Sequence, residues 1–316
     1  MMTGFFMLSG FSLGYVYADK DLLKLEDIKK FYIKRMAGTL PIYYFVGLMY
    51  IFFIGAESLI QNIILFPTEL LGLQAVFRSL FNITHNGGTW FISCILICYI
   101  IFPFILEMVK QMEIKDKMIL LIMCSFILLY SPVVVWYIGL DSNYSNPFFR
   151  SLEFIIGVIL FSSISEIKQG KITKKLLSWK FLLLESMYGI IVVSVMVSLK
   201  IQLSNYLLYS WITLPCFIMI LPTLASLEFC FIRKSKRIKN FILYLSEISY
   251  AFFLAQFFLW RVMRGICSIW SIENNIMKIV LSLTVCTVIS VLLHEIIEKP
   301  GKMLLNKKLI YVSKKN

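Results

Sequence analysis

The sequence predicts an all-helical protein built as a polytopic bundle of transmembrane helices. Of its 316 residues, 59% are hydrophobic and 16% are charged, and the mean hydropathy is +0.82. Soluble globular domains carry about 45–50% apolar and about 25% charged residues. Apolar runs close to the ~20 residues that cross a bilayer recur along the chain, with basic segments between them. This combination excludes an ordinary soluble fold.

Nine runs are predicted to span the membrane. They are residues 1–18, 37–55, 89–106, 118–138, 148–164, 181–199, 207–230, 246–263 and 277–297. A weaker run, residues 58–80, contains Pro67 and Glu69, so we predict an interfacial or re-entrant segment there. In the seventh span, Pro215 and Pro222 remove backbone donors, which predicts a kink or a broken helix.

Basic residues alternate between dense and sparse loops. Most of the 31 Lys and Arg residues fall in every second loop, beginning with residues 18–36, and in the C-terminal tail. Short cytoplasmic loops carry such an excess. The C-terminus is therefore predicted to be cytoplasmic, and nine spans then place the N-terminus outside, unless a further helix precedes Met1. A signal peptide cleaved after Ala18 is an alternative, which the lack of Lys and Arg before that position disfavours.

Neither the net charge nor the cysteines indicate a nucleic-acid or metal site. The net charge of +13 is concentrated between apolar runs, which indicates a basic membrane face and no nucleic-acid partner. The seven cysteines lack metal-ligand spacing, so no metal site is expected. We predict that they are buried small hydrophobic residues, with Cys267 the one exposed thiol.

Motifs for soluble catalysis are missing from the sequence. It contains no Walker, dinucleotide-binding, HExxH or Gly-x-Ser-x-Gly pattern, so NTPase, dehydrogenase, zincin and hydrolase chemistries have no support. No internal repeat or linker divides the chain. Residues 1–316 are therefore predicted to form one membrane domain.

Six short stretches follow one another in a definite order. They are FFMLSGF (5–11), KRMAGTLPIYY (34–44), GGTWFISCILICYIIFP (87–103), RSLEFIIGVIL (150–160), LSEISYAFFLAQ (245–256) and EKP (298–300). In this order and at this spacing they resemble the acyltransferase-3 family of integral membrane acyltransferases. The resemblance spans nearly the whole chain.

The resemblance implies a bundle of about ten helices that transfers an acyl group, commonly acetyl, from cytoplasmic acyl-CoA. The acceptor it implies is a sugar hydroxyl of a cell-envelope polysaccharide or glycolipid. Acyl-CoA is then a co-substrate, no cofactor is bound, and the protein is expected in a bacterial cytoplasmic (inner) membrane.

Several positions depart from the family pattern. Members carry a catalytic His on their first helix, and FFMLSGF corresponds to their second, so that base is not in this sequence. Gly38 stands where the family has a second Arg, and Gln256 where a His is common. An active enzyme with divergent chemistry, a truncated chain and an inactive copy are the three alternatives.

Two cations before Pro41 are the predicted donor site. Lys34 and Arg35 would form a cationic rim that concentrates the CoA polyanion, and Arg binds phosphate bidentately. Plain anchoring of the helix at a positive membrane face is the alternative.

A second set is predicted to line the acyl tunnel or the acceptor site by resemblance. It comprises Ser9, Ser12, Trp90, Arg150, Glu153, Tyr250 and Gln256. Ser9 and Ser12 share a helix face, but membrane serines commonly bond backbone or neighbouring helices. Arg150 and Glu153, also three apart, are expected to pair, either as a structural ion pair or as an acceptor site.

Histidine is the expected base, and the chain has two. His85, in a turn before Trp90, is a weak candidate for a base on the acceptor side, and a solvated loop His is the simpler interpretation. His294, beside Glu295 near the end of the ninth span, is the less favoured candidate.

Two further classes of function stay open. A lipid or saccharide transporter would also be polytopic, and the Pro215/Pro222 helix is the feature that suggests one. A catalytically dead membrane scaffold is the other.

Overall fold

The structure, a computed structural model, describes residues 2–53, 59–76, 87–138, 144–167, 179–198, 209–226 and 235–304. All regular elements in these ranges are helical. The α-helices are α1 (Met2–Val16), α2 (Leu25–Phe53), α3 (Leu59–Leu70), α4 (Trp90–Gln111), α5 (Ile114–Ile138), α6 (Pro147–Ile167), α7 (Trp179–Ser198), α8 (Tyr209–Ser226), α9 (Lys236–Ile269) and α10 (Asn275–Leu293). A 3-10 turn, Gly87–Thr89, precedes α4, and α10 continues through a π-helical turn, His294–Glu298, to Leu304.

The prediction of an all-helical membrane bundle is confirmed. Among the described residues, six helices are long and apolar enough to cross a membrane: α2, α4, α5, α6, α9 and the extended α10. Two shorter apolar helical segments are Met2–Val16 and Thr213–Ala225. Each predicted span coincides with a helix, while the count of nine spans and the cytoplasmic C-terminus stay predictions.

Helix α3 lies within the weaker apolar run. Its 12 residues rise about 18 Å, which is short of the ~30 Å hydrocarbon core. The segment is tied down by polar contacts: Tyr44 donates to the Leu70 carbonyl oxygen (2.6 Å), and Gln74 Nε2 donates to that of Thr89 (2.9 Å). The described helix is too short to span the hydrocarbon core, and the interfacial or re-entrant placement stays a prediction.

Of the two alternatives for the seventh span, the broken helix is wrong, because helix α8 is continuous through Pro215 and Pro222. A kink in that helix stays a prediction. Beyond the second proline, Thr223 Oγ1 donates to the Met219 carbonyl oxygen (2.9 Å) and so pairs a backbone group near the missing donor. Cys267, expected to be exposed, is buried on α9, where it acts as a small hydrophobic residue.

The chain divides into two compact units. The first contains Met1–Ile28 and Cys94–Phe229, and the second contains Lys29–Ser93 and Cys230–Asn316. The expectation of one membrane domain over residues 1–316 stays a prediction.

Helix α1 of the first unit packs along α6 by backbone-to-backbone approach. A methyl group at Gly10 would fall inside the van der Waals radius of the Phe154 carbonyl oxygen, and one at Gly157 would overlap that of Met7. Gly14 lies one turn further along, against the Phe161 ring. The Gly-x-x-x-Gly spacing in α1 is therefore used to pack against a helix of the same chain.

In the second unit, α9 packs against both α10 and α2. The rings of Tyr50 on α2 and Phe258 on α9 lie 6.4 Å apart, further along both helices than the contact of Thr39 with Tyr250. Helices α2 and α9 therefore run in the same direction. On α10, Glu295 contacts Tyr244 and the earlier Cys286 contacts Phe252, which lies later in α9, so α10 runs the opposite way.

Candidate active site

Helices α2, α9 and α10 meet at one level of the second unit. The Tyr250 hydroxyl on α9 donates to the carbonyl oxygen of Thr39 on α2 (2.8 Å). The Lys302 side chain on α10 lies beside Gly38, where an added methyl group would be 3.5 Å from its Cε. These contacts bring together the Lys-Arg stretch, the Ser-Tyr stretch and the Glu-x-Pro stretch, which are far apart in the sequence.

The same end of the second unit is basic. Helices α2 and α9 both begin there and α10 ends there, since the first two are parallel and the third is antiparallel. The exposed cations on the opening turns of α2 and α9 are Lys29, Lys30, Lys34, Lys236, Arg237 and Lys239. The first turn of α2 also carries Glu26 and Asp27, and the remaining excess of positive charge attracts polyanions.

The two predicted donor residues differ in their surroundings. Lys34 is exposed, whereas Arg35 is half-buried, with its guanidinium carbon 5.8 Å from the centre of the Phe31 ring. One turn later, the Thr39 hydroxyl donates back to the Arg35 carbonyl oxygen (2.6 Å). The Arg35 backbone is thus bonded to the turn that Tyr250 contacts. The Arg35 side chain lies one turn nearer the basic end of α2, over Phe31.

A buried polar ladder runs along the end of α10. His294 Nδ1 lies 2.7 Å from Glu298 Oε2, and the other carboxylate oxygen of Glu298 accepts from Lys302 Nζ. His294 and Glu298 are each 2% exposed. The ladder coincides with the π-helical turn, a distortion that is frequent at functional sites.

Helix α9 covers the other side of the imidazole. The Tyr244 ring packs edge-on against it, with centroids 6.0 Å apart, and the Glu247 carboxylate lies 3.7 Å from Nε2. That distance is too long for a hydrogen bond. Within the described part of the chain, Nε2 is buried and has no hydrogen-bond partner.

Arg150 and Glu153 form the predicted ion pair, in the first unit. Arg150 Nη1 donates to both carboxylate oxygens of Glu153 (2.7 and 2.6 Å), and its Nε donates to the Tyr144 carbonyl oxygen (2.7 Å). The same Nη1 lies 3.4 Å from Thr3 Oγ1 on α1. Both side chains are buried and engaged with protein groups, which favours the structural ion pair over an acceptor site.

Of the other predicted site residues, Ser9 and Ser12 belong to the first unit, and Trp90 and Gln256 to the second. Ser9 is half-buried and Ser12 exposed on α1. Trp90 is buried at the start of α4, and Gln256 is half-buried on α9. His85 lies outside the described residues.

Several residues of this level were missed by the sequence analysis. Thr39, Glu247 and Lys302 carry no pattern of their own, and their partners lie on other helices or in a distorted turn. The His294–Glu298 pair could have been found, because residues four apart share a helix face.

Comparison with known proteins bears on the activity. The family described as an acyltransferase domain matches residues 1–295. The chain belongs to the acyltransferase-3 family. No curated protein and no solved structure matched it.

Membership of the acyltransferase-3 family makes this chain a membrane acyltransferase by class. Acyl transfer needs a group that holds the donor and a base that takes a proton from the acceptor. In the second unit, Arg35 at the basic end suits the first role, and the buried imidazole of His294 has the chemistry of the second.

Proposed function

We propose that this protein transfers an acetyl group from acetyl-CoA to a hydroxyl of a cell-envelope saccharide, in a bacterial cytoplasmic membrane. The observation that carries the proposal is the position of Arg35 at the basic end of the second unit, in a chain of acyltransferase type. The acceptor oxygen attacks the thioester carbonyl carbon, the C–S bond breaks, and CoA leaves as the thiol with the proton that the hydroxyl lost.

The donor is assigned to acyl-CoA because of charge. CoA carries several phosphate charges at one end, and Arg recognises phosphate with a planar, bidentate fork. Arg35 is half-buried and its guanidinium lies over the Phe31 ring, so less side-chain freedom is lost on binding than at the exposed Lys34. Lys34 and its neighbours then add long-range attraction, which salt screens.

A transporter has less support than an acyltransferase. Transporters of the relevant kinds use discontinuous helices in two related halves. Helix α8, whose prolines suggested a broken helix, is continuous. A scaffold without catalysis predicts that replacing Arg35 leaves the cellular phenotype unchanged.

The test uses bacterial membranes that contain the full chain, incubated with acetyl-CoA labelled in the acetyl group. We expect label in the saccharide or glycolipid fraction, and its loss with Arg35→Ala. Membranes in which no acceptor is labelled, while a lipid-linked sugar crosses the bilayer, would establish the transporter instead.

A further inference from the structure

In the described residues, the buried imidazole of His294 forms a hydrogen bond through one ring nitrogen and none through the other. A carboxylate only accepts hydrogen bonds, so the contact of 2.7 Å to Glu298 requires the proton on Nδ1. In the neutral imidazole, Nε2 then carries the lone pair. It is buried, and no hydrogen-bond donor in the described residues reaches it.

Leaving a buried acceptor unpaired costs free energy, so such atoms in native proteins call for an explanation. The pattern of a carboxylate on one imidazole nitrogen and a free lone pair on the other is the one that makes imidazole a proton acceptor. Lys302 bonds the second oxygen of Glu298 and so fixes the carboxylate that orients the ring.

We propose that His294 is the general base of the acyl transfer, with Glu298 as its positioning residue; this rests on the proposed function above. His294 Nε2 takes the proton from the acceptor hydroxyl as its oxygen forms the new C–O bond to the acyl carbon. The C–S bond breaks, and the imidazolium returns the proton to the departing CoA sulfur. Glu298 keeps Nδ1 protonated and stabilises the transient positive charge.

The position of His294 relative to Arg35 fits this assignment. His294 contacts Glu247, which lies one turn before Tyr250, and Tyr250 bonds Thr39 on the turn after Arg35. The pantetheine arm has about as many chain bonds as four peptide residues, about 14 Å when extended. With the CoA phosphates at Arg35, the proposal requires that arm to bring the thioester beside His294.

The groups that face the imidazole allow an entry route. Glu298 and Lys302 lie on its own helix, and Tyr244 and Glu247 face it from α9. The Glu247 side chain is 58% exposed, so it can change rotamer freely, and the acceptor hydroxyl would approach Nε2 from that side.

The deciding variant is His294→Asn. The Asn amide nitrogen stands where Nδ1 was and keeps the bond to Glu298, while Nε2 is lost. Using purified full-length protein in detergent, with labelled acetyl-CoA and a membrane saccharide extract, we expect about a hundredfold or greater loss of transfer rate. Binding of acetyl-CoA should change less than twofold, and added imidazole should restore part of the rate.

Glu298→Gln has a matched control in the same turn, Glu295→Gln. The Glu295 side chain is 42% exposed and bonds Lys299 and Tyr244. Glu298→Gln should lower kcat about tenfold or more with little change in the KM for acetyl-CoA, and Glu295→Gln should change neither beyond twofold. A purely structural Glu298 would instead lower the thermal stability of the variant without a specific effect on kcat.

A measurement on the wild-type protein covers the case in which the variants do not fold. The chain has two histidines, so carbethoxylation by diethyl pyrocarbonate can be located by mass spectrometry. Loss of activity should follow modification of His294, and acetyl-CoA should protect it. Inactivation that follows His85 overturns the proposal, as does His294→Asn with the wild-type rate. A wild-type protein that neither binds acetyl-CoA nor transfers its label overturns the proposed function itself.

Discussion

The Tyr250 hydroxyl on α9 donates to the Thr39 carbonyl oxygen on α2, although 211 residues separate them in the sequence. Thr39 in turn bonds the Arg35 carbonyl oxygen with its own hydroxyl. Tyr250, expected to line the acceptor site, therefore bonds the α2 backbone one turn after Arg35. We expect its contribution to be to hold α2 in place.

Tyr250→Phe tests that assignment. Removing the hydroxyl frees the α2 turn behind Arg35, so we expect the KM for acetyl-CoA to rise severalfold while kcat stays within about twofold. Steady-state kinetics at several acetyl-CoA concentrations measures both. Tyr15→Phe is the control, because Tyr15 is 71% exposed on α1. A fall in kcat at unchanged KM would mean that Tyr250 touches the reacting groups.

Arg35→Ala should weaken donor binding more than Lys34→Ala does. A hydrogen bond to a charged group contributes about 1.5–3 kcal/mol, which corresponds to roughly a ten- to hundredfold rise in the KM for acetyl-CoA. Lys34 is exposed, so its replacement should cost severalfold at low ionic strength and little at high salt. If both replacements had equal effects and salt abolished each of them, Arg35 would contribute only long-range electrostatic attraction.

Breaking the Arg150–Glu153 pair should destabilise the first unit. Loss of one partner leaves a buried charge unpaired, at a cost of about 3–5 kcal/mol. Replacing both by apolar residues, Arg150→Met with Glu153→Leu, should restore much of the loss. The midpoint of thermal unfolding in detergent measures this. A double variant that is fully stable and yet binds no acceptor would show that the pair serves substrate binding.

Gly157→Ala should prevent the close approach of α1 and α6. The new methyl group overlaps the Met7 carbonyl oxygen, so the helices must separate, at a cost of roughly 1–3 kcal/mol. Gly265→Ala on α9 is the matched control, because nothing lies within 4 Å of its added methyl group. That change should be neutral or stabilise slightly, since Ala favours a helix over Gly. Equal unfolding temperatures for the two variants would contradict the packing described for α1.

Much of the fold could be predicted from the sequence because apolar runs in a membrane protein are long and charge-poor. The Arg150–Glu153 pair was also predictable, since its members lie three apart on one helix. Gly10 and Gly14 indicated a close helix contact, and only the structure identifies α6 as the partner.

The site was less predictable, because its contacts join distant helices. No pattern in the sequence links Tyr250 to Thr39, or Lys302 to Gly38. His294 was placed beside Glu295, its neighbour in sequence, but a helix turns adjacent side chains apart and the imidazole meets Glu298 instead. The continuity of α8 was missed because prolines are tolerated in membrane helices when neighbouring groups satisfy the backbone.

The most direct test of the acyltransferase account is a stoichiometry measured on the purified, full-length protein. Acetyl-CoA labelled in the acetyl group is supplied with a membrane saccharide extract, and free CoA thiol and ester-linked label are followed together. The account predicts one ester formed for each thiol released, with both rates reduced in parallel by Arg35→Ala. Thiol release without ester-linked label, or no release by the wild-type protein, would contradict it.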